Sequence, residues 1–580
     1  MMNKKTKDQA VCSSLLTAVC SLFLAATSLL VNSCKDEFLN PEPEKEENFT
    51  STMTARIFSG DSLILQNPYS VTNMEDALQK IKDENPDFPI RDFAIQETHR
   101  YLKFKPATEE EVGLLKQDST IHYFDYRMDC EYAEGFLENR LPDADSIAVY
   151  YTAVPVGKTL PNVDYEVLSN LYIPEEDAYF DGVENMESYA ITNVVENTTD
   201  LFYHLLYNAF AQTGNEEELL TEPAPNARGL FSIFAAKWYP SGNIKVNDDV
   251  AGVKPVTGAQ VLMRQWFTVR QGITDGNGNF STGYVRGKAR YVIQWERYNY
   301  SIRNGLLFQA ETKGPDVKQQ SWNTTINGGD DEYHAIIHQA AHDFYYGYRF
   351  GLISPPMNNH VYNFGKQHQV KIAAKEVNGG GFTGVYSHAA NELTFGIYPT
   401  IRIRMWTRPS DQIYGTTIHE LAHGLHSVLD KASYDFIVQK GVTLPGNTVP
   451  INVRNSTKRL LETWPTTVEI LMTERRYRTP TNQYTVYAGT ANLNNFQNRT
   501  ITANNHYTSG GFDLLDNVNQ RVFYNNNAFP IDRVSGYIAV QLQNALINAK
   551  SWNDWRDNIK SNYNNSTEPF VDELFANCQD

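Results

Sequence analysis

Residues His419-Glu420-Leu421-Ala422-His423 constrain this chain more than any other stretch, because they place two imidazoles and a carboxylate within about one helical turn. At positions i and i+4 the two imidazoles stand on one face, close enough to share a metal ion. Glu420 follows the first of them and points to the flank of the pair, where it can reach a zinc-bound water. Ile418, Leu421, Ala422, Leu425, Val428 and Leu429 recur at helical spacing, which predicts an apolar face beside the histidine face. Proteins build half of a zinc site and its general base in this way. One face of the helix is then core and the adjacent face carries the histidines, the plainer alternative being an exposed amphipathic helix with incidental histidines.

A catalytic zinc takes three protein ligands and keeps an open position, so one more donor must come from elsewhere. His426 shares the helix face, but it lies seven residues past His419 and therefore about 10 Å along the axis. The stretch Leu460 to Met472 is the better source. It has the apolar pattern of a second helix, with Glu462 and Glu469 seven residues apart on one face. Pro465 is most comfortable in a first helical turn, and a helix starting there would leave Glu462 just outside and Glu469 inside.

The sequence HELAH followed by a Glu-bearing helix resembles the gluzincin group of zinc metallopeptidases. Glu462 followed by Trp464 is similar to the E-x-W pattern of bacterial lipoprotein members of that group. The resemblance implies Zn2+ as cofactor, with His419, His423 and Glu462 as ligands. Glu469 then hydrogen-bonds a ligand imidazole from outside the coordination sphere and holds it in its tautomer, or else is the alternative ligand. Glu420 is the catalytic base toward the zinc-bound water, and a Tyr or His stabilises the oxyanion. Tyr477, His506 and Tyr507 are candidates for that role, and no spacing selects one. In a zincin an edge strand upstream of the HExxH helix pairs with extended substrate, and Glu392–Ile397 or Thr400–Met405 could supply it.

Other constellations have plainer readings. His338-Gln339-Ala340-Ala341-His342 repeats the histidine spacing with a Gln that cannot act as a base, and with His334 it reads as packed histidines on an amphipathic helix. Thr274 to Asn279 lacks the bidentate Glu of a calcium loop and reads as a tight turn between strands. Asn378 to Gly384 lacks a following GK[ST] and reads as a flexible loop.

Lys4, Lys5 and Lys7 precede an apolar run from Val11 to Val31, and Leu30-Val31-Asn32-Ser33-Cys34 resembles a bacterial lipobox with lipidation at Cys34. The acidic residues that follow, Asp36 to Glu47, look like the export signal of surface lipoproteins. This gives a signal peptide at 1–33, an acidic tether at 34–54 and an outer-membrane lipoprotein, cell-surface exposed and held to the membrane by its anchor. Residues 1–33 carry a net +2, so the formal charge of −18 becomes −20 on their removal. Such acidity argues against nucleic acid as a partner. Cys130 and Cys578 remain, either paired or free, so a large core must hold the fold.

The expected fold class is multidomain α+β. An α+β amino-terminal domain spans 55–225, with helices near Met74–Lys82 and Leu201–Ala211 and a strand at Ser146–Tyr151. A small β-sandwich at 236–310 resembles the carboxypeptidase-regulatory-like module and serves as spacer or interaction surface. A mainly helical zincin-like domain fills 315–580, closed by helices around Val534–Ala549. The function read from this is zinc-dependent hydrolysis of a protein or peptide substrate at the cell surface. The alternatives are a non-catalytic surface lipoprotein that binds glycan or protein, and a structural zinc module closed by His426.

Overall fold

The structure is a computed structural model. It describes residues 64–84, 93–130, 147–180, 193–219, 237–305, 308–358, 369–374, 384–386, 400–403, 409–441, 449–478, 501 and 506–578. The expected signal peptide at 1–33, the expected tether at 34–54 and Cys34 lie outside the described residues, as do the stretches 378–383 and 392–397. Among the described residues no helix is long and apolar enough to cross a membrane. The architecture is mixed α+β with several sheets.

The amino-terminal part pairs helix α1 (Val71–Glu84) with helix α2 (Asn193–Gln212) beside an antiparallel sheet of β1 (His99–Phe104), β2 (Tyr150–Pro155) and β3 (Tyr165–Leu171), with β1 in the centre. In α1 the residues Met74, Ala77, Leu78 and Ile81 are buried at i, i+3, i+4 and i+7, as an amphipathic helix requires. The expected strand at 146–151 begins four residues later, at Tyr150. Cys130 and Cys578 are both free thiols.

The β-rich part contains β4 (Ser241–Asp248), β5 (Gly252–Pro255), β6 (Gln260–Gln265), β7 (Thr268–Ile273), β8 (Asn279–Ser281) and β9 (Lys288–Gln294). The chain then leaves it as β10 (Glu296–Arg297), β11 (Tyr300–Asn304) and β12 (Phe308–Gln309), and returns as β13 (Glu311–Lys318) and β14 (Trp322–Ile326). One sheet has the order β13-β9-β6-β7 and the other β14-β4-β5, with β8 beside β4. The strands therefore do not divide at residue 310 or 315. Residues 311–326 complete the two sandwich sheets, and residues 296–309 belong to the next sheet. Sequence patterning could not show this, because β14 pairs in parallel with β4 across the nine strands that lie between them in the chain. The turn at 274–279 joins β7 to β8, with the Asp275 carboxylate accepting from the backbone N–H groups of Asn277 and Asn279.

The fourth sheet has the order β10-β11-β15-β17-β16, where β15 is Val370–Ala374, β16 is Gly384–Tyr386 and β17 is Ile401–Ile403; β12 also pairs with β11. Strands β11, β15 and β17 are parallel, and β16 closes the described end antiparallel to β17. Among the described residues the edge strand is β16, the end of the glycine-rich stretch that reads as a loop in the sequence, and residues 401–403 of the expected 400–405 segment lie one position inside it.

Helices α3 (Gly329–Tyr346), α4 (Ser410–Leu429), α5 (Lys431–Gly441) and α6 (Ile451–Tyr477) pack in succession, with α4 between α3 and α6. His334, His338 and His342 lie on α3. His338 Nδ1 is 3.1 Å from the Tyr300 hydroxyl and its Nε2 is 3.0 Å from the Thr257 carbonyl, so this imidazole bridges helix, sheet and sandwich. After α6 the chain ends in short helices. Within 534–549 only Ala539–Asn544 is helical, and Trp552–Asn562 and Val571–Asn577 do more of the closing, burying Trp552, Trp555, Leu574 and Phe575. One apolar core runs without interruption from Ile244 and Trp322 of the sandwich to Leu421, Trp464 and Trp555.

Candidate metal centre

The sequence expects α4 to bury one face, yet every residue from Ser410 to Ser427 is buried. A helix covered all round must satisfy its polar side chains within the protein. His419 and His423 lie one turn apart with ring centroids 4.9 Å from each other. Both Nε2 atoms face the same oxygen, Oε2 of Glu462, at 3.4 Å from His419 and 3.5 Å from His423. All three residues are at most 4% exposed.

Glu462 reaches this point because α6 is a single helix of 27 residues that passes through Pro465. Proline leaves the carbonyl four residues earlier, that of Leu461, without its N–H donor. Threonine hydroxyls serve the neighbouring carbonyls: Thr466 donates to Glu462 O and Thr467 to Thr463 O, each at 2.8 Å. Trp464 is fully buried beside Trp555, so tertiary packing carries the helix across the proline. Helix initiation at Pro465, one of the two readings of the sequence, does not occur.

Glu469 stands two turns further along α6 and takes the other side of the first imidazole, its Oε2 3.0 Å from His419 Nδ1. His419 therefore lies between two carboxylates. Burial opposes its charge, but the hydrogen bonds to Glu462 and Glu469 outweigh burial and push it up to about 10. For Glu462 burial favours the neutral acid, and the bonds to His419 and His423 overcome it and hold the carboxyl below its usual range. His423 moves the opposite way: burial lowers it despite its bond to Glu462. Its Nδ1 is buried without a protein partner.

Glu420 is 1% exposed and faces β16. The backbone N–H of Tyr386 donates to it. A Cβ on Gly384 would stand 2.6 Å from its Oε1 and 2.5 Å from Thr416 Cγ2, so only glycine lets the strand run this close. Burial, with Glu462 and Glu469 adding to it, raises the Glu420 carboxyl to about 8 despite the opposing charge of His419. Its Oε2 is buried without a protein partner. Tyr386 further stacks on His423, ring centroids 6.3 Å apart at 18°, and its hydroxyl lies 3.1 Å from Ser427 Oγ. Neither Gly384 nor Tyr386 carries a motif, and only the strand's place over α4 reveals them.

Among the candidates for oxyanion contact, Tyr507 has its ring centroid 5.8 Å from that of His419. The His506 carbonyl accepts from Thr463 Oγ1 at 3.0 Å. Tyr477 is buried away from the pair, donating to Asp248 Oδ2 at 3.0 Å, and drops out of the set. His426 is also outside the cluster, its ring packed edge-on against Tyr434 at 5.2 Å.

The donor set tests what this group can hold. Two imidazole nitrogens and one carboxylate oxygen lie within 4.8 Å of one another. Donors bound tetrahedrally to zinc at 2.0–2.1 Å are separated by about 3.4 Å, and the separations from Glu462 Oε2 are 3.4 and 3.5 Å. Three buried carboxylates, Glu420, Glu462 and Glu469, surround two imidazoles, and such a cluster favours an added positive charge. The residues fit a zinc ion. No family model, no curated protein and no solved structure matches this chain.

Proposed function

We propose that this protein is a zinc-dependent peptidase in which His419, His423 and Glu462 hold the ion and Glu420 is the general base. The observation that supports this reading most is the convergence of both Nε2 atoms on one Glu462 oxygen, with a separate buried carboxylate beside them. A zinc ion held by these three residues would supply Lewis acidity toward a carbonyl oxygen and a nearby water. Glu420 Oε2, free of protein partners, takes the proton from that water. The water oxygen bonds to the carbonyl carbon, the C–N bond breaks, and Glu420 returns the proton to the departing amine nitrogen.

The remaining residues orient these groups. Glu469 accepts from His419 Nδ1–H and so directs Nε2 inward. The Tyr507 hydroxyl is the donor in this reading for the oxyanion. Strand β16 offers an extended backbone against which a peptide can pair, which favours a protein or peptide substrate. The same proposal places the enzyme at the cell surface on a lipid anchor at Cys34, on the evidence of the lipobox alone.

Metal analysis with two variants tests it. His423→Ala is expected to lose zinc, while Glu420→Gln keeps zinc and loses hydrolysis of a peptide library. Hydrolysis surviving in Glu420→Gln, or a wild type that remains zinc-free after zinc-replete purification, rejects the reading.

A further inference from the structure

Beside α6 three aspartates outside the histidine cluster converge. Asp513 ends the short helix Gly510–Asp513, Asp516 lies in the bend after it, and Asp532 precedes the helix Ala539–Asn544. One carboxylate oxygen from each lies within 4.8 Å of the others. Asp513 is fully buried and Asp532 nearly so. Ser509 Oγ donates to Asp513 Oδ2 at 3.0 Å, and Asp513 Oδ1 is buried in this cluster with no protein hydrogen-bond partner.

Like charges buried together are costly unless a proton or a cation lies among them. The charged neighbour that raises Asp513 is another carboxylate, Asp532. Burial raises both acids, Asp532 to about 7. A bound divalent cation removes the need for that proton.

We infer that Asp513, Asp516 and Asp532 form a second metal site, for a hard divalent cation of the calcium class. The donors are all oxygens, the set that calcium prefers and soft metals do not. Two oxygens bound to one calcium at 2.3–2.6 Å can be at most about 5.2 Å apart, which the 4.8 Å cluster satisfies. The surrounding bonds fix the carboxylates: Val534 N–H donates to Asp532 Oδ1 at 3.0 Å and Val518 N–H to Asp516 Oδ1 at 3.3 Å. The Asn519 amide donates to the Asp532 carbonyl, and the buried Gln520 side chain hydrogen-bonds Asp513.

The cation would join the 513–516 turn to the 530–534 segment. The same turn buttresses α6: Gly511 lies against Thr467 with no space for a Cβ, and Phe512 packs on Ile470. These contacts fall between and beside Glu462 and Glu469, so the site would stiffen the helix that carries them.

The test uses the full chain, stripped with chelator and titrated with CaCl2, with MgCl2 as a parallel arm. Calcium is expected to raise the melting temperature by several degrees. Terbium is expected to show sensitised emission through Trp552 and Trp555, whose indoles lie near Gly510 and Gly511, and calcium displaces it. Asp532→Asn loses both responses, and Asp516→Asn, at a half-buried position, serves if the first variant does not fold. His423→Ala keeps both, which separates this site from the histidine pair. A wild type whose melting is indifferent to calcium and which gives no displaceable terbium emission overturns the inference. So do unchanged responses in the Asp→Asn variants.

Discussion

Oε2 of Glu469 lies 3.0 Å from Nδ1 of His419, on the opposite edge of the imidazole from the nitrogen that faces Glu462. The ring is thereby clamped between two carboxylates of one helix, which fix its orientation. Removing such an outer partner typically weakens metal binding by about 10–100-fold. Glu469→Gln is expected to weaken zinc binding by about that factor and to lower the melting temperature of the chelated protein, with affinity measured on the folded variant by competition with a chromophoric chelator. An unchanged affinity would show that Glu469 plays no part in holding the imidazole.

Gly384→Ala puts a methyl group where Glu420 Oε1 and Thr416 Cγ2 already stand. Either the carboxylate or β16 must shift. Displacing a reacting group by about 1 Å can cost on the order of 100-fold in rate. The variant is expected to lose turnover on that scale and to retain zinc, as read by steady-state hydrolysis alongside metal content. Full activity would place Glu420 outside the reaction.

The Asp249 carboxylate accepts from the Ser410 backbone N–H at 2.8 Å, capping the first turn of α4 from the sandwich. Loss of an N-terminal cap costs about 1 kcal/mol. Asp249→Ala is expected to lower the unfolding free energy by about that amount, measured by denaturant titration, and Asp249→Asn to lose less. No change in either would mean that the sandwich does not brace this helix.

The Asp532 carboxyl, raised to about 7 by burial, gives a pH signature when calcium is chelated. The folded chain holds a proton there that the unfolded chain releases above the ordinary value of 3.8. This contribution is present below that value and is lost as pH rises through about 7. Melting temperature followed from pH 4 to pH 8 in chelator is expected to fall more for the wild type than for Asp532→Asn. Parallel profiles would remove the aspartate pair from the account.

The HExxH helix and the carboxylate at 462 were legible because the information is local: i, i+4 spacing for the imidazoles and an apolar pattern around Glu462. Helix α6 was legible in type but not in extent. Its passage through Pro465 depends on threonine hydroxyls and on Trp464 packing beside Trp555, which no window of sequence contains. Strand β16 was hidden because a glycine run reads as a loop, and Gly384 is required by a neighbour 36 residues away, Glu420. The edges of the sandwich were hidden by long-range pairing, and the aspartate cluster by the chain separation of Asp513 and Asp532.

The turn after β4 has a consequence for how the chain can be cut. Asp249 holds the start of the histidine-bearing helix, and Asp248 receives the Tyr477 hydroxyl at the end of the glutamate-bearing one. A fragment beginning at residue 315 would keep every proposed ligand yet shed this two-point clasp, along with strands β4 to β9 of the shared core. Proteolytic trimming to such a piece should yield a molten or aggregating product, so the sandwich and the helices must be expressed, inherited or transplanted together.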